Sequence, residues 1–119
     1  MTSPDSIKLL AKELTDAGRK KEAAEALTRL NYIYPVDGDL HQRLGALLVE
    51  QNNAAGAIRE FRAVLAYQPI DPAQSHYDLA RAYNLNHQPE QAKDELLGAL
   101  EIAPGFRPAQ KLLLELSKN

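Results

Sequence analysis

His76 and Asp78 stand two residues apart in the stretch PIDPAQSHYDLARAY (residues 69–83), a pair that could act as a proton relay or as two ligands of one metal ion. Either use requires the two side chains to converge. On a helix, residues two apart point to nearly opposite sides, so the relay fails on geometry, and the pairing expected instead is Asp78 with Arg81, three residues on. His41 and His87 carry the other two imidazoles. Neither has a second histidine or a cysteine three or four residues away, whereas a structural zinc site takes four ligands. His41 and His76 are therefore expected to pack or to be partly exposed, His87 to be solvated in a turn, and no residue to bind a metal. The sequence also lacks a G-x-S-x-G elbow, a glycine-rich phosphate loop and an H-E-x-x-H pair, and its serines lie at termini or helix starts. No catalytic residue and no cofactor are expected, and the chain is read as a non-enzyme.

What must position these side chains is legible from composition and period. The 119 residues suffice for one domain (1–119) that can bury about two thirds of its unfolded surface. The absence of cysteine removes disulfides and thiolate metal sites. Fourteen basic against sixteen acidic residues, interspersed, provide no broad cationic face for phosphate backbones, so nucleic acid is not an expected partner. Apolar runs stop at four or five residues and the N-terminal MTSPDSIK has neither a basic nor an apolar leader pattern, so no membrane association is expected either. A cytoplasmic location follows for the chain as given, or a periplasmic one if it is excised from a longer exported protein.

Apolar residues recur at spacings of three and four, as in Ile7, Leu10, Leu14 and then Ala23, Ala26, Leu27, Leu30, which predicts an all-α chain. Breaks at Gly18, Pro35 to Gly38, Asn52-Asn53, Pro69 to Pro72, His87 to Pro89 and Pro104 to Pro108 divide it into seven helices. Pro35, Pro69 and Pro104 lie 34 and 35 residues apart, the signature of a repeat array. Aligned on these prolines, Leu10-Ala11, Leu44-Gly45 and Leu79-Ala80 fall in register, as do Leu14, Leu48 and Tyr83, then Ala23, Ala57 and Ala92, then Leu27, Phe61 and Leu96. The alanines are expected where the helices of a pair cross, since small side chains let backbones approach to about 8–10 Å. Ser3, Asp71 and Gln88, each before a proline, are the expected helix starts.

This pattern resembles the tetratricopeptide repeat: a bulky residue, Leu-Gly or Leu-Ala, an aromatic, a small residue, an aromatic and a closing proline. The resemblance covers residues 4–37, 38–71 and 73–106, with 107–118 as a C-terminal capping helix. It departs locally, with Ile7, His41 and His76 where tryptophan is usual, and with one residue inserted near Pro72. It implies an antiparallel helix-pair solenoid whose first helices line a concave groove for segments of partner proteins.

Carried over position by position, the resemblance points the groove residues out as Lys8, Leu9 and Lys12 from repeat one, Gln42, Arg43 and Ala46 from repeat two, and Tyr77, Asp78 and Arg81 from repeat three, flanked by Asp5, Asp39 and Gln74. Lys8, Lys12, Arg43 and Arg81 make an acidic peptide a candidate ligand, with Tyr77 as apolar anchor. The set of residues with which one subfamily clamps chaperone carboxylates is matched only at Lys8, so that ligand is not implied.

The closing segment RPAQKLLLELSKN is expected to turn Leu113 and Leu114 toward repeat three and to leave Leu112 and Leu116 for self-association in a homodimer, or for folding back on the end of the groove. The functional expectation is a scaffold for protein–protein interaction. Two alternatives stand beside it: an accessory segment of a larger bacterial peptidase or transferase, and a self-associating structural module. The wording rich in alanine, leucine and glutamine reads as bacterial.

Overall fold

The computed structural model describes residues 4–34, 37–67 and 69–118. They form seven α-helices: α1 (Pro4–Asp16), α2 (Lys20–Ile33), α3 (Gly38–Glu50), α4 (Ala54–Ala66), α5 (Pro72–Leu85), α6 (Pro89–Ile102) and α7 (Arg107–Leu116). Each packs chiefly on its sequence neighbours, α1 on α2, α2 on α3 and so on to α7. The result is elongated, 50 × 26 × 20 Å, and its radius of gyration of 14.8 Å exceeds the ~13.5 Å expected of a compact globule of this length. Stacking of small units along one axis produces that shape.

The start signals act as physical caps at three of the seven helices. The side chains of Asp37, Asn53 and Asp71 accept from the backbone N–H groups of Leu40, Gly56 and Gln74 at 3.0, 3.0 and 3.1 Å. Gln88 precedes α6 without capping it through its side chain; its amide oxygen instead accepts from Asn86. The expected cap Ser3 and the break at Pro35 lie outside the described residues. Within each helix pair the turn is the same left-handed closure. Gly18, Asn52 and His87 have φ of 81°, 59° and 59°. The next N–H, of Arg19, Asn53 or Gln88, reaches back to the carbonyl of Leu14, Leu48 or Tyr83 at 2.7, 2.8 and 2.9 Å. This is the Schellman closure, which glycine adopts freely and which asparagine and histidine tolerate. His87 is thus a turn residue, exposed to solvent.

The core runs along the stack as three successive clusters, centred on Leu27 and Leu44, on Phe61 and Leu79, and on Leu96 with Ala109. Ala23, Ala57 and Ala92 are wholly buried, as close helix crossing requires. The first-helix leucines separate by place in the stack. Leu44 and Leu79 are 3% and 2% exposed because each packs on the second helix of the preceding pair, whereas Leu10, in the first pair described, is 49% exposed. Side-chain volumes compensate between repeats. Ala11 faces a core with Leu27 and Ala80 one with Leu96, but Gly45 meets Phe61, whose ring would stand 2.6 Å from a Cβ added there.

The capping helix corrects one sequence expectation. Ala109, Leu112, Leu113 and Leu116 follow the i, i+3, i+4, i+7 stripe. Ala109 is fully buried, and the three leucines pack with Tyr77, Leu100 and Phe106 against the third pair. The outward leucine is Leu114, 62% exposed. Leu113 packs inward as expected and Leu112 folds back on the end of the groove, whereas Leu114 does not turn inward. Leu112 and Leu116, both half-buried, make contact with their own chain.

Candidate functional site

The first helices α1, α3 and α5, joined by α7, line a run of cavities along one face. The first, about 230 Å³, lies between α1 and α3 and is bordered by Lys8, Lys12, Arg43, Ala46 and Glu50. Ala46 and Glu50 also border the second, about 150 Å³, with Gln42, Val49, Asp78 and Arg81. Val49 and Arg81 border the third, about 220 Å³, with Tyr77, Asn84 and Leu112. Tyr77 and Leu112 border the last and widest, about 1030 Å³, with Arg107, Lys111 and Glu115. Each cavity thus shares wall residues with the next. Of the groove residues expected from sequence, Lys8, Lys12, Gln42, Arg43, Ala46, Tyr77, Asp78 and Arg81 border this run, and Leu9, exposed on α1, does not. Leu112 enters the groove from α7.

The charged side chains have partners that the sequence did not reveal. Lys8 is largely covered, and its Nζ donates to Asp37 at 2.7 Å and stands 3.0 Å from Asp39. Burial works against its charge, yet the two carboxylates outweigh burial and hold its pKa above the ordinary 10.5. Burial likewise opposes the charge on Asp37, but the Lys8 ammonium and the Leu40 N–H hold its pKa below 3.8. Asp39 is lowered in the same way, against burial, by Lys8 and Arg43. Arg43 donates to Asp39 at 3.0 Å, and Lys12 to Asp16 at 2.9 Å. The hydrogen bond from Lys12 raises its own pKa.

Asp78 differs from the expected ion pair with Arg81. It is 9% exposed and accepts from Gln42 Nε2 at 2.9 Å and Gln74 Nε2 at 3.0 Å, so two amides rather than a cation hold it in the groove floor. Arg81 lies over the Tyr77 ring at 5.9 Å, and Tyr77 meets Phe106 edge-on at 5.7 Å. Aromatic packing displaced the ion pair because Tyr77, four residues before Arg81 and one turn of helix away, presents its ring where the guanidinium can stack.

The histidines also acquire partners across their helix pairs. His41 Nδ1 donates to Glu60 at 2.8 Å and His76 Nδ1 to Glu95 at 2.7 Å. The ring of His41 stacks on Tyr67 at 5.9 Å. Both carboxylates stand 19 residues after their histidines, at one repeat position, where repeat one carries Ile7 and Ala26 instead. That repeated spacing is a signal present in the sequence and missed by a search confined to i+3 and i+4. Each imidazole–carboxylate pair bridges the two helices of its hairpin in place of a large apolar residue. Among the described residues no group of three or more histidine, cysteine or acidic side chains could hold a metal ion, and no helix is long and apolar enough to cross a membrane.

A tetratricopeptide-repeat family model matches residues 73–106. No curated protein sequence matches the chain. Solved structures do resemble it in shape. MamA superposes with a TM-score of 0.87 at 19% identity, covering 97% of this chain and 67% of MamA. The second such domain of human RPAP3, solved with the HSP70 peptide SGPTIEEVD, gives 0.85 at 16%, covering 96% of this chain and 94% of that domain. YrrB, described as having an unusual peptide-binding site, gives 0.83 at 23%, covering 93% of this chain and 57% of YrrB. The chain therefore spans about two thirds of the length of MamA and a little over half of YrrB.

Proposed function

Since the chain folds as a tetratricopeptide-repeat protein, with residues 73–106 matching that family directly, we propose that it is a non-catalytic interaction module that holds an extended segment of a partner protein along its first-helix face. The observation that carries this reading is the row of four adjoining cavities from Lys8 to Lys111, each sharing wall residues with the next, since an extended peptide seats its side chains in successive pockets. The peptide complex of one similarly folded domain and the peptide-binding site described for another support it. Within the groove, Gln42, Ala46, Asp78 and Arg81 form the middle of the path, and Tyr77 with Leu112 offers its apolar step.

Ala46 is the place to test this. It is exposed and borders two successive cavities, so Ala46→Arg blocks the path without disturbing the core. Partners retained by the wild-type chain are identified by mass spectrometry and their affinities measured for both proteins. Loss of about tenfold or more with unchanged helicity is expected. Equal retention by Ala46→Arg would place the partner on another face and sink the proposal.

A further inference from the structure

The cations of the groove fall into two groups that their count conceals. Lys8, Lys12 and Arg43 are each held by a carboxylate of the chain itself. Arg81, Arg107 and Lys111 have no ion-pair or hydrogen-bond partner among the described residues; only the Tyr77 ring engages Arg81. These three border the two C-terminal cavities, where Glu115 is the one acidic wall residue, and Tyr77, Leu112, Leu85 and Val49 supply apolar surface between them.

We propose that this end of the groove, between α5 and α7, is an anchor for an acidic peptide segment carrying one bulky apolar side chain. The apolar side chain seats between Tyr77 and Leu112, and flanking carboxylates meet Arg81 on one side and Arg107 with Lys111 on the other. Charge complementarity selects this occupant. Three free cations against one carboxylate leave a positive field in a concavity, and guanidinium groups bind carboxylates in bidentate fashion. The N-terminal end is unsuited to the same ligand, because a carboxylate arriving there would compete with Asp16, Asp37 and Asp39 at contacts already formed. Arg107 and Lys111 lie on the helix after the three repeats, so the capping helix becomes a wall of the site.

The inference rests on the groove reading and is tested so that the two can fail separately. The probe is a fluorescein-labelled, amidated peptide Gly-Glu-Glu-Leu-Asp-Glu-Gly, titrated by anisotropy into the full chain at low salt, beside versions with Gln and Asn for the acids and Gly for Leu. Binding of the acidic peptide is expected to weaken with salt, and about tenfold or more in Arg81→Glu with Lys111→Glu, against less than about threefold in Lys12→Glu. Both control peptides are expected to bind more weakly. Loss in Ala46→Arg with no loss in the Arg81 and Lys111 variant overturns the anchor and leaves the groove standing. Indifference to both Ala46→Arg and the Arg81 and Lys111 variant overturns both. No binding of the acidic peptide, or tighter binding of a single-stranded oligonucleotide through the same cations, overturns the acidic-peptide anchor alone.

Discussion

The two ends of the groove are built by opposite means. At the N-terminal end, Lys8 ties α1 to the start of α3 by reaching both Asp37 and Asp39, Arg43 shares Asp39 within α3, and Lys20 ties the start of α2 to the end of α3 by reaching Glu50 at 3.3 Å. At the C-terminal end, Tyr77, Phe106, Leu112 and Leu116 close the joint between α5 and α7 by apolar contact, and of the nearby cations only Arg81 touches it, over the Tyr77 ring. A charge that holds the fold is already spent, whereas one standing beside an apolar joint is available to a ligand. The availability of a lysine is therefore set by what surrounds it rather than by its residue type.

The largest effect expected is at the apolar joint. Tyr77→Ala removes a half-buried ring that touches Phe106 and supports Arg81, and is expected to lower stability by about 2–3 kcal/mol in urea unfolding. Tyr77→Phe should keep most of that, because the contacts described are made by the ring. If Tyr77→Ala were as stable as wild type, α7 would not be held by this seam, and the contrast between the ends would lose one of its terms.

Next comes the ionic joint. Lys8→Met keeps the aliphatic stem but leaves the Asp37 carboxylate without a cation and Asp39 with Arg43 alone, and is expected to cost about 1–2 kcal/mol. The equivalent change at the other end, Lys111→Met, should stay within about 0.5 kcal/mol, since that ammonium holds nothing. Equal losses at the two positions would erase the distinction between spent and available charge.

The difference between wild type and Lys8→Met also has a pH signature. The folded pKa values of Asp37 and Asp39 lie below the ordinary 3.8, so their contribution is present above that value and is lost as pH falls through the lowered values. Lys8 is raised above 10.5, so its contribution is complete below 10.5 and disappears as pH climbs through the raised value. The stability gap between the two proteins is therefore expected to be flat between these limits and to shrink on either side, as measured by urea midpoints across the range. A gap that stayed constant into strong acid would assign the loss to packing of the lysine stem.

The fold was legible because it is written in spacing: the prolines and the small residues at helix crossings recur at one period, and stacking converts the period directly into architecture. Even the position of the left-handed turns follows it, at Gly18, Asn52 and His87. The groove was legible only as a set of positions. Its electrostatics depend on contacts between repeats, such as Lys8 with Asp37 29 residues away or Gln42 with Asp78 36 residues away, and no local pattern encodes these. The outward turn of Leu114 was missed for a related reason. With four leucines in five positions, 112–114 and 116, several inward stripes are possible, and the wholly buried Ala109 selects among them.

The smallest expected effect discriminates best between a charge seen in sequence and a charge that acts. Lys12 and Asp16 form an i, i+4 pair in which both side chains are well exposed, lysine preceding aspartate, on the rim of the first cavity. Such exposed pairs contribute only a few tenths of a kcal/mol, because water solvates both partners and two flexible side chains must be ordered to meet. Lys12→Gln is therefore expected to leave the urea midpoint almost unchanged. If the ligand's carboxylates dock at the far end, the same change should leave acidic-peptide affinity unchanged as well. A clear fall in affinity with unchanged stability would mean that the peptide displaces Asp16 and takes Lys12 for itself. The paired cations would then be a reserve that a ligand can open, and the boundary between the two ends of the groove would move toward α1.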